Sequence, residues 1–224
     1  MKNINIAVDG PAGAGKSTVS KIIAENLGII YLDTGAMYRA VAFKALENNI
    51  DPNDYNAVLK LLENTTIDIK YIDGVQHVML DGADVSASIR RHNISQAASD
   101  ISKIKEVRLM LVDIQRAIAQ KNSVIMDGRD IGSFVLPNAD YKFYITAIPE
   151  ERAKRRLLDL REKGQDESFD EILKSILIRD ENDKSREFAP LVKAEDAILI
   201  DTTNLSIEQV CDKILSIINN GSKE

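Results

Sequence analysis

The stretch that most constrains the fold is GPAGAGKS, Gly10–Ser17, which matches the phosphate-binding pattern G-x-x-x-x-G-K-[ST]. An apolar run, Ile4–Val8, precedes it, and apolar residues at helical spacing follow it as far as Leu27. In such a loop, glycines let backbone N–H groups surround phosphate oxygens, and the following helix directs its positive end at them. The order of strand, loop and helix therefore predicts a phosphate-binding loop (P-loop) rather than a chance glycine-rich turn.

The residue types in this loop predict a bound nucleoside triphosphate. We expect Lys16 to contact the β- and γ-phosphates of ATP, and the Ser17 hydroxyl to bind Mg²⁺. The remaining loop contacts with ATP are expected from Gly10, Pro11, Ala12, Gly13, Ala14, Gly15 and Thr18.

Five short apolar runs separated by helical patterns predict an α/β fold with a doubly wound parallel sheet. The runs are Ile4–Val8, Gly28–Leu32, Ser123–Met126, Tyr141–Thr146 and Ala197–Ile200. In such a sheet, ligands bind at the carboxyl ends of the strands.

One segment, TIDIKYIDGVQHVML, breaks the alternation of strand and helix. Asp73-Gly74 predicts a two-residue hairpin turn, and the resulting register places Tyr71 on the same face as Gln76. A second Asp-Gly pair predicts a third short strand through Val85. We therefore expect an inserted antiparallel subdomain at about 63–100 within a core of 1–62 and 101–224.

The bulk composition excludes several functional classes. The net charge of −6 argues against a nucleic-acid coat or a polybasic membrane binder, and no apolar run reaches membrane-spanning length. Cys211 is the only cysteine, so no internal disulfide forms, and His77 and His92 have no partner at metal-ligand spacing. We expect a cytoplasmic monomer that has neither nucleic-acid nor membrane partners.

Two charged helices near the C-terminus predict a lid at about 150–187. In the second helix, Ser168 and Glu171 form a capping box, and the apolar line of Ile172 and Ile176 continues at helical spacing as Arg179, Asp183 and Arg186. The first helix carries Arg152, Arg155, Arg156 and Arg161, several of which are expected at the surface. Together the helices predict a hairpin with a basic inner face over a triphosphate, although a helix solvated at its end remains an alternative.

The segment VIMDGRDIGS follows an apolar strand, and its charges need partners at the end of that strand. Asp127 is of the type that holds Mg²⁺ or its waters, and Gly128 is expected to let the backbone turn.

We expect the acceptor to be a phosphate. A phosphate acceptor has a second pKa near 6, so it needs no general base at neutral pH, but two polyanions must be brought together. Arginines and Mg²⁺ would overcome that repulsion, and Arg39 and Arg129 add to the candidates.

Five motifs follow one another along the chain: DGPAGAGKST, YLDTGAMYRA, VMLDGADVSASIR, MDGRDIG and IRDENDKSRE. Together they resemble the bacterial cytidylate kinase family over nearly the whole chain. The resemblance implies a nucleoside monophosphate kinase fold with a P-loop core, a monophosphate-binding insert and a lid. It also implies the transfer of a phosphoryl group from ATP to CMP or dCMP in the presence of Mg²⁺.

The resemblance further implies roles for single residues. Thr34, at a position where the family often has serine, would contact CMP, and Tyr38, Arg39 and Arg129 would hold its phosphate. Ser99, Arg108 and Asp130 would read the cytosine edge, Asp183 with Arg179 the ribose, and Arg186 would close over the substrate. Arg155 is assigned to ATP. Ser133 stands where the family has threonine, and without the resemblance Arg108 would be taken for a surface residue.

Two other functions remain open at this point. One is a P-loop kinase for another acceptor, such as UMP, dTMP or dephospho-coenzyme A. The other is a nucleotide-binding switch or scaffold without catalysis, although the Asn-Lys-x-Asp base reader of GTP switches is missing from the sequence.

Overall fold

The computed structural model describes residues 3–162, 164 and 166–221, and it contains the predicted α/β architecture. The strands are β1 (Asn5–Asp9), β2 (Ile30–Asp33), β3 (Ile67–Ile72), β4 (Val75–Leu80), β5 (Ala83–Asp84), β6 (Val124–Gly128), β7 (Tyr141–Thr146) and β8 (Ile198–Asp201). The helices are α1 (Lys16–Leu27), α2 (Thr34–Glu47), α3 (Tyr55–Leu62), α4 (His92–Ile101), α5 (Lys105–Lys121), α6 (Pro149–Glu162), α7 (Phe169–Ser185) and α8 (Ile207–Gly221).

A five-stranded sheet has the strand order β2-β6-β1-β7-β8, and β7 pairs in parallel with both β1 and β8. All five of its strands were predicted from the sequence, and the observed bounds differ by no more than two residues at either end. Ile6, Ala7 and Val8 of β1 are completely buried, as expected for a parallel strand with both faces covered. Among the described residues, none of the helices combines the length and apolar character needed to cross a bilayer.

The chain divides into two compact units. The first contains Asn3 and Ile30–Val124, which include helices α2–α5 and a separate three-stranded sheet of order β3-β4-β5. The second contains Ile4–Ile29 and the residues from Ile125 onward, which include the P-loop and helices α6–α8.

The antiparallel sheet has the register that its Asp-Gly turns predict. Tyr71 pairs with Gln76 across the hairpin, and Asp73 and Gly74 have φ values of 51° and 75°, both in the left-handed region that a type I′ turn requires. The third strand, β5, is only two residues long, and the Val85 N–H donates to Val78 at 3.0 Å just beyond it. The prediction of a hairpin followed by a third short strand is confirmed.

Gly10 and Gly28 both have positive φ but differ in their surroundings. The φ of Gly10 is +144°, and an added Cβ would overlap the carbonyl oxygen of Ile145. Gly28 ends α1 with a φ of +64°, as its C-cap position predicts, and an added Cβ would have no atom within 4 Å. Only at Gly10 does a close approach of two backbones exclude every side chain.

We therefore expect Gly28→Ala to lower the free energy of unfolding by roughly 1–2 kcal/mol, the usual penalty for a left-handed L-residue. Gly10→Ala should lower it by clearly more, because the P-loop must move away from β7. Urea denaturation of both variants measures the difference. An equal loss in the two would show that the β7 backbone yields and that Gly10 is needed only for its φ.

Candidate active site

Lys16 is the first residue of α1 and lies buried beneath the loop that precedes it. Its ammonium donates to the carbonyl oxygen of Pro11 at 2.8 Å. Burial, followed by the charge of Arg129, lowers the pKa of Lys16 to about 7, whereas Asp127 and Asp183 raise it. An anionic phosphate at this place would restore the charged form, so the surroundings of Lys16 suit an anion of high charge.

Ser17 and Asp127, the two predicted Mg²⁺ ligands, are in direct contact. The Ser17 hydroxyl donates to Oδ2 of Asp127 at 2.7 Å. Mg²⁺ prefers oxygen ligands and usually keeps waters and substrate phosphates beside one or two protein ligands. No group of three or more His, Cys, Asp or Glu in the described part of the chain is placed to hold a metal ion. A hydroxyl and one carboxylate side by side fit such a phosphate-bound Mg²⁺.

Asp9, at the end of β1, holds the loop that follows β6. Its two carboxylate oxygens accept the backbone N–H groups of Ile131 and Gly132, each at 2.7 Å. Burial raises the pKa of Asp9 to about 7, although these two hydrogen bonds oppose the shift.

The prediction that the backbone turns at Gly128 is wrong, because β6 runs through Gly128 and the helical turn begins at Ile131.

Asp183 of α7 gathers arginines around it. Its carboxylate accepts from Nε of Arg129 at 2.7 Å and lies 3.6 Å from Nη1 of Arg186. Burial alone would raise the pKa of Asp183, but Arg129, Arg179 and Arg186 together outweigh burial and lower it. The second unit therefore brings together four predicted residues: Asp183, Arg129, Arg179 and Arg186. They lie close enough to Lys16 that the charge of Arg129 lowers the pKa of Lys16.

In the first unit, Asp33 connects β2 to α2 and holds Arg39. Asp33 caps α2 by accepting the N–H of Ala36, and its second oxygen accepts from Nη2 of Arg39 at 2.8 Å. The Gln76 side chain bonds both the N–H and the carbonyl of Asp33, at 2.7 and 3.2 Å. Arg39 is thus a paired, partly buried arginine at the start of a helix, and not a solvated one.

Arg108, Tyr38 and Ser99 lie close together in the same unit. Arg108 is 1% exposed, and its guanidinium lies 5.3 Å from the centre of the Tyr38 ring. It donates to the carbonyl of Ser102, whose hydroxyl donates to the carbonyl of Ser99. The Ser99 hydroxyl is buried and has no hydrogen-bond partner among the described residues. The helical pattern alone would place Arg108 at the surface, whereas the structure buries it.

Comparison with known proteins decides the family. The family model for cytidylate kinase matches residues 6–220. A cytidylate kinase of Caldicellulosiruptor bescii is 57% identical over 97% of this chain and 96% of its own length. A cytidylate kinase of Clostridioides difficile is 52% identical over 98% of this chain and 100% of its own. The chain belongs to the cytidylate kinase family.

Solved structures of low identity share the fold of this family member. An uncharacterized protein from Eubacterium ventriosum has a TM-score of 0.56 at 17% identity and covers 98% of this chain and 99% of its own. A sugar kinase from Janibacter sp. has a TM-score of 0.50 at 13% identity and covers 97% of this chain and 95% of its own. These similarities concern the fold alone.

The contact between α6 and α7 combines an apolar cluster with the buried ion pair of Arg152 and Asp180, and a basic inner face over a triphosphate stays a prediction. The buried cluster between the helices consists of Ala153, Leu160, Ile172 and Ile176. The capping box of Ser168 with Glu171 is confirmed, and Asp183, which continues the apolar line of α7, is buried. Arg186 lies just beyond the end of α7, because the helix stops at Ser185, and its guanidinium donates to the carbonyl of Ala189.

Arg152 is buried and not at the surface. Its guanidinium bonds the carbonyls of Ala147 and Ala12, the latter in the P-loop, and pairs with Asp180 of α7 at 2.7 Å. The predicted helical stripe did not include Asp180, which is buried beside the half-buried Arg179. Arg152 therefore ties α7 to the P-loop, a role that periodicity within either helix does not reveal.

Arg155 reaches the segment after β8. It donates to the hydroxyl and to the carbonyl of Thr202, at 3.0 and 2.6 Å. A Cβ added to Gly15 would lie 4.0 Å from Nη1 of Arg155, so its guanidinium is near the P-loop. Its contact with ATP stays a prediction.

Sequence reasoning missed Asp9, Gln76, Arg152 and Asp180. Asp9 stood directly before the phosphate-binding pattern, and Gln76 was a polar residue on the hairpin face shared with Tyr71. Both positions carry a polar side chain where the pattern leads one to expect an apolar one, which is the signal that could have marked them.

Replacing Arg152 by Met should lower the free energy of unfolding by about 3–5 kcal/mol, because the buried Asp180 carboxylate loses its cation. Asp180→Leu should lower it by a similar amount. In the double variant the loss should be smaller than the sum, since neither charge remains buried alone. Urea denaturation of the four proteins gives the coupling energy. Additive losses would contradict an interaction between these residues.

Proposed function

We propose that this protein transfers the γ-phosphoryl group of ATP to CMP and dCMP, giving CDP and dCDP, with Mg²⁺ as the metal ion. Membership of the cytidylate kinase family over residues 6–220 supports the substrates. The contact of Ser17 with Asp127 beside Lys16, in a phosphate-binding loop, supports ATP with Mg²⁺ as the donor.

In this proposal the P-loop and Lys16 bind the donor triphosphate. Ser17 and Asp127 would hold Mg²⁺, which when bound supplies positive charge to the phosphate oxygens. Arg129 would hold the acceptor phosphate. Arg129 and Arg179 would neutralise charge on the transferred group, and Arg186 would close over the substrate. Because Asp183 already pairs with Arg129, that guanidinium is oriented before any phosphate arrives.

The observation that carries the mechanism is that three carboxylates near Lys16 are already engaged. Asp9 accepts two backbone N–H groups, Asp127 accepts the Ser17 hydroxyl, and Asp183 accepts from Arg129. A hydroxyl acceptor needs a carboxylate that is free to take its proton, whereas a phosphate acceptor is already a nucleophile near neutral pH. This arrangement favours direct in-line transfer to a phosphate, without a general base.

Recognition of the acceptor is assigned residue by residue from the family motifs. Thr34 would contact CMP, and Tyr38 and Arg39 would hold its phosphate. Ser99, Arg108 and Asp130 would read the cytosine edge, and Asp183 with Arg179 would contact the ribose. The buried Ser99 hydroxyl, which has no partner among the described residues, supports its assignment to a ligand.

The substrate assignment predicts an order among acceptors. In an assay of ADP release, kcat/KM for CMP and dCMP should exceed that for UMP, AMP, dTMP and dephospho-coenzyme A by at least tenfold. Equal values for CMP and AMP would contradict the cytidylate assignment. ATP binding without acceptor-stimulated turnover would instead favour a nucleotide-binding switch.

Two neighbouring serines allow a matched test of base recognition. Ser99→Ala should raise KM for CMP several-fold with little change in thermal stability, because the hydroxyl it removes makes no hydrogen bond within the described part of the chain. Ser102→Ala should lower stability by about 1 kcal/mol, because its hydroxyl donates to Ser99, and should leave KM nearly unchanged. If Ser99→Ala had wild-type KM for CMP, Ser99 would not be a base-reading residue.

The proposal includes a monomeric enzyme in the cytoplasm that does not bind nucleic acid. The acidic net charge of −6 supports the last point. Light scattering coupled to size-exclusion chromatography would measure the oligomeric state.

A further inference from the structure

We propose that Asp9 is a positioning residue for phosphoryl transfer, which holds the loop carrying Arg129 and Asp130 in a fixed place relative to Lys16. The inference rests on the proposed transfer of a phosphoryl group to a monophosphate. It assigns Asp9 no contact with either substrate.

Both oxygens of the buried Asp9 carboxylate accept hydrogen bonds from one loop. Asp9 is 4% exposed, and Oδ1 and Oδ2 accept from Ile131 and Gly132 respectively. The residues joined in this way lie more than 120 positions apart in the chain. A carboxylate that accepts two N–H groups at 2.7 Å holds their peptide planes more firmly than a neutral acceptor would.

The N–H groups of Ile131 and Gly132 begin a helical turn. Within the turn 131–135 and its flanks, Phe134 and Val135 donate to the carbonyl of Asp130. The first N–H groups of any helical turn lack partners within the turn itself. Asp9 supplies those partners from a different strand, so the loop conformation depends on Asp9.

Gly132 packs tightly against the Asp9 carboxylate. A Cβ at this position would lie 3.3 Å from Oδ2 of Asp9 and 3.1 Å from Cδ of Lys142. A side chain there would therefore press on the carboxylate and on Lys142, and one of them would have to shift. The tight fit at Gly132 in the motif DGRDIG involves Asp9 directly.

The position of Asp9 in the chain links the donor and acceptor sides of the reaction. Its backbone continues directly into Gly10, which is held against Ile145, and its side chain holds the loop two residues after Arg129. In-line transfer is sensitive to misplacement of about 1 Å between the donor and acceptor groups. A general-base role does not fit, because both oxygens are already acceptors of backbone N–H groups.

The main test is Asp9→Asn, which keeps the shape but leaves one oxygen to accept and places an amide NH₂ against the other N–H. We expect kcat to fall at least tenfold, while KM for ATP stays within about twofold, since the P-loop keeps its own contacts. Asp140→Asn is the matched control, because Asp140 accepts the N–H of Asn5 at 2.9 Å at the opposite end of β1. That variant should keep wild-type kcat.

Hydrogen exchange of backbone amides gives a readout that needs no catalysis. In the nucleotide-free protein, Ile131 and Gly132 should exchange faster in Asp9→Asn than in the wild type or in Asp140→Asn. If Asp9→Asn does not fold, Gly132→Ala disturbs the same contact from the loop side and should give the same two changes.

The outcomes separate this inference from the proposed function. If the wild-type protein did not phosphorylate CMP, the proposed function would be contradicted. Hydrogen exchange would still test the contact of Asp9 with Ile131 and Gly132. An active wild type combined with Asp9 and Gly132 variants of unchanged kcat would overturn the positioning role. So would a rise in KM for ATP as large as the fall in kcat, because the defect would then lie in the P-loop.

Discussion

Two buried carboxylates, Asp9 and Asp127, stand at the carboxyl ends of the neighbouring strands β1 and β6, and both must be compensated. Asp127 is compensated by the hydroxyl of Ser17, at the beginning of α1, and Asp9 by two backbone N–H groups after β6. Each carboxylate thus joins one strand end to a loop from the other strand. The placement of the P-loop and of the loop that carries Arg129 depends on these few hydrogen bonds.

Acidic residues also arrange the arginines of this acidic protein. Asp33 holds Arg39, and Asp183 holds Arg129, so that each guanidinium is oriented by a carboxylate before a phosphate arrives. Arg129 lowers the pKa of Lys16, which shows that the cations repel one another at short range. Carboxylates placed between these cations reduce the repulsion. Guanidinium N–H groups that are already oriented need little rearrangement as negative charge develops on the transferred phosphoryl group. A net negative charge is therefore compatible with a phosphate site of concentrated positive charge.

Much of the fold could be predicted because its signals are local. The strands followed from apolar runs, the hairpin register from Asp73-Gly74, and the C-terminus of α1 from Gly28. Ser17 and Asp127 could be paired because parallel strands place their carboxyl ends along one edge of the sheet. In each of these cases a backbone angle or a strand direction decides the structure without reference to a distant residue.

Helical periodicity has a physical limit. It states which residues of one helix share a face, but not what another element brings to that face. For this reason the pattern did not single out Arg152 among the four arginines of α6, although the P-loop carbonyl of Ala12 and the carboxylate of Asp180 enclose it. The same limit applies to the contact between α6 and α7, where a buried apolar cluster lies beside this ion pair.

The sequence by itself determined the phosphate-binding loop, the α/β class, the antiparallel hairpin and the residue types of the candidate site, because these depend on short patterns and on strand ends. Its resemblance to cytidylate kinases also marked Arg108, which no local pattern would have selected. Only the tertiary structure decided that Asp9 holds the loop after β6, that Gln76 holds Asp33, and that Arg152 ties α7 to the P-loop. These contacts join residues far apart in the chain, and their partners are backbone groups or buried charges whose positions exist only once the elements have packed.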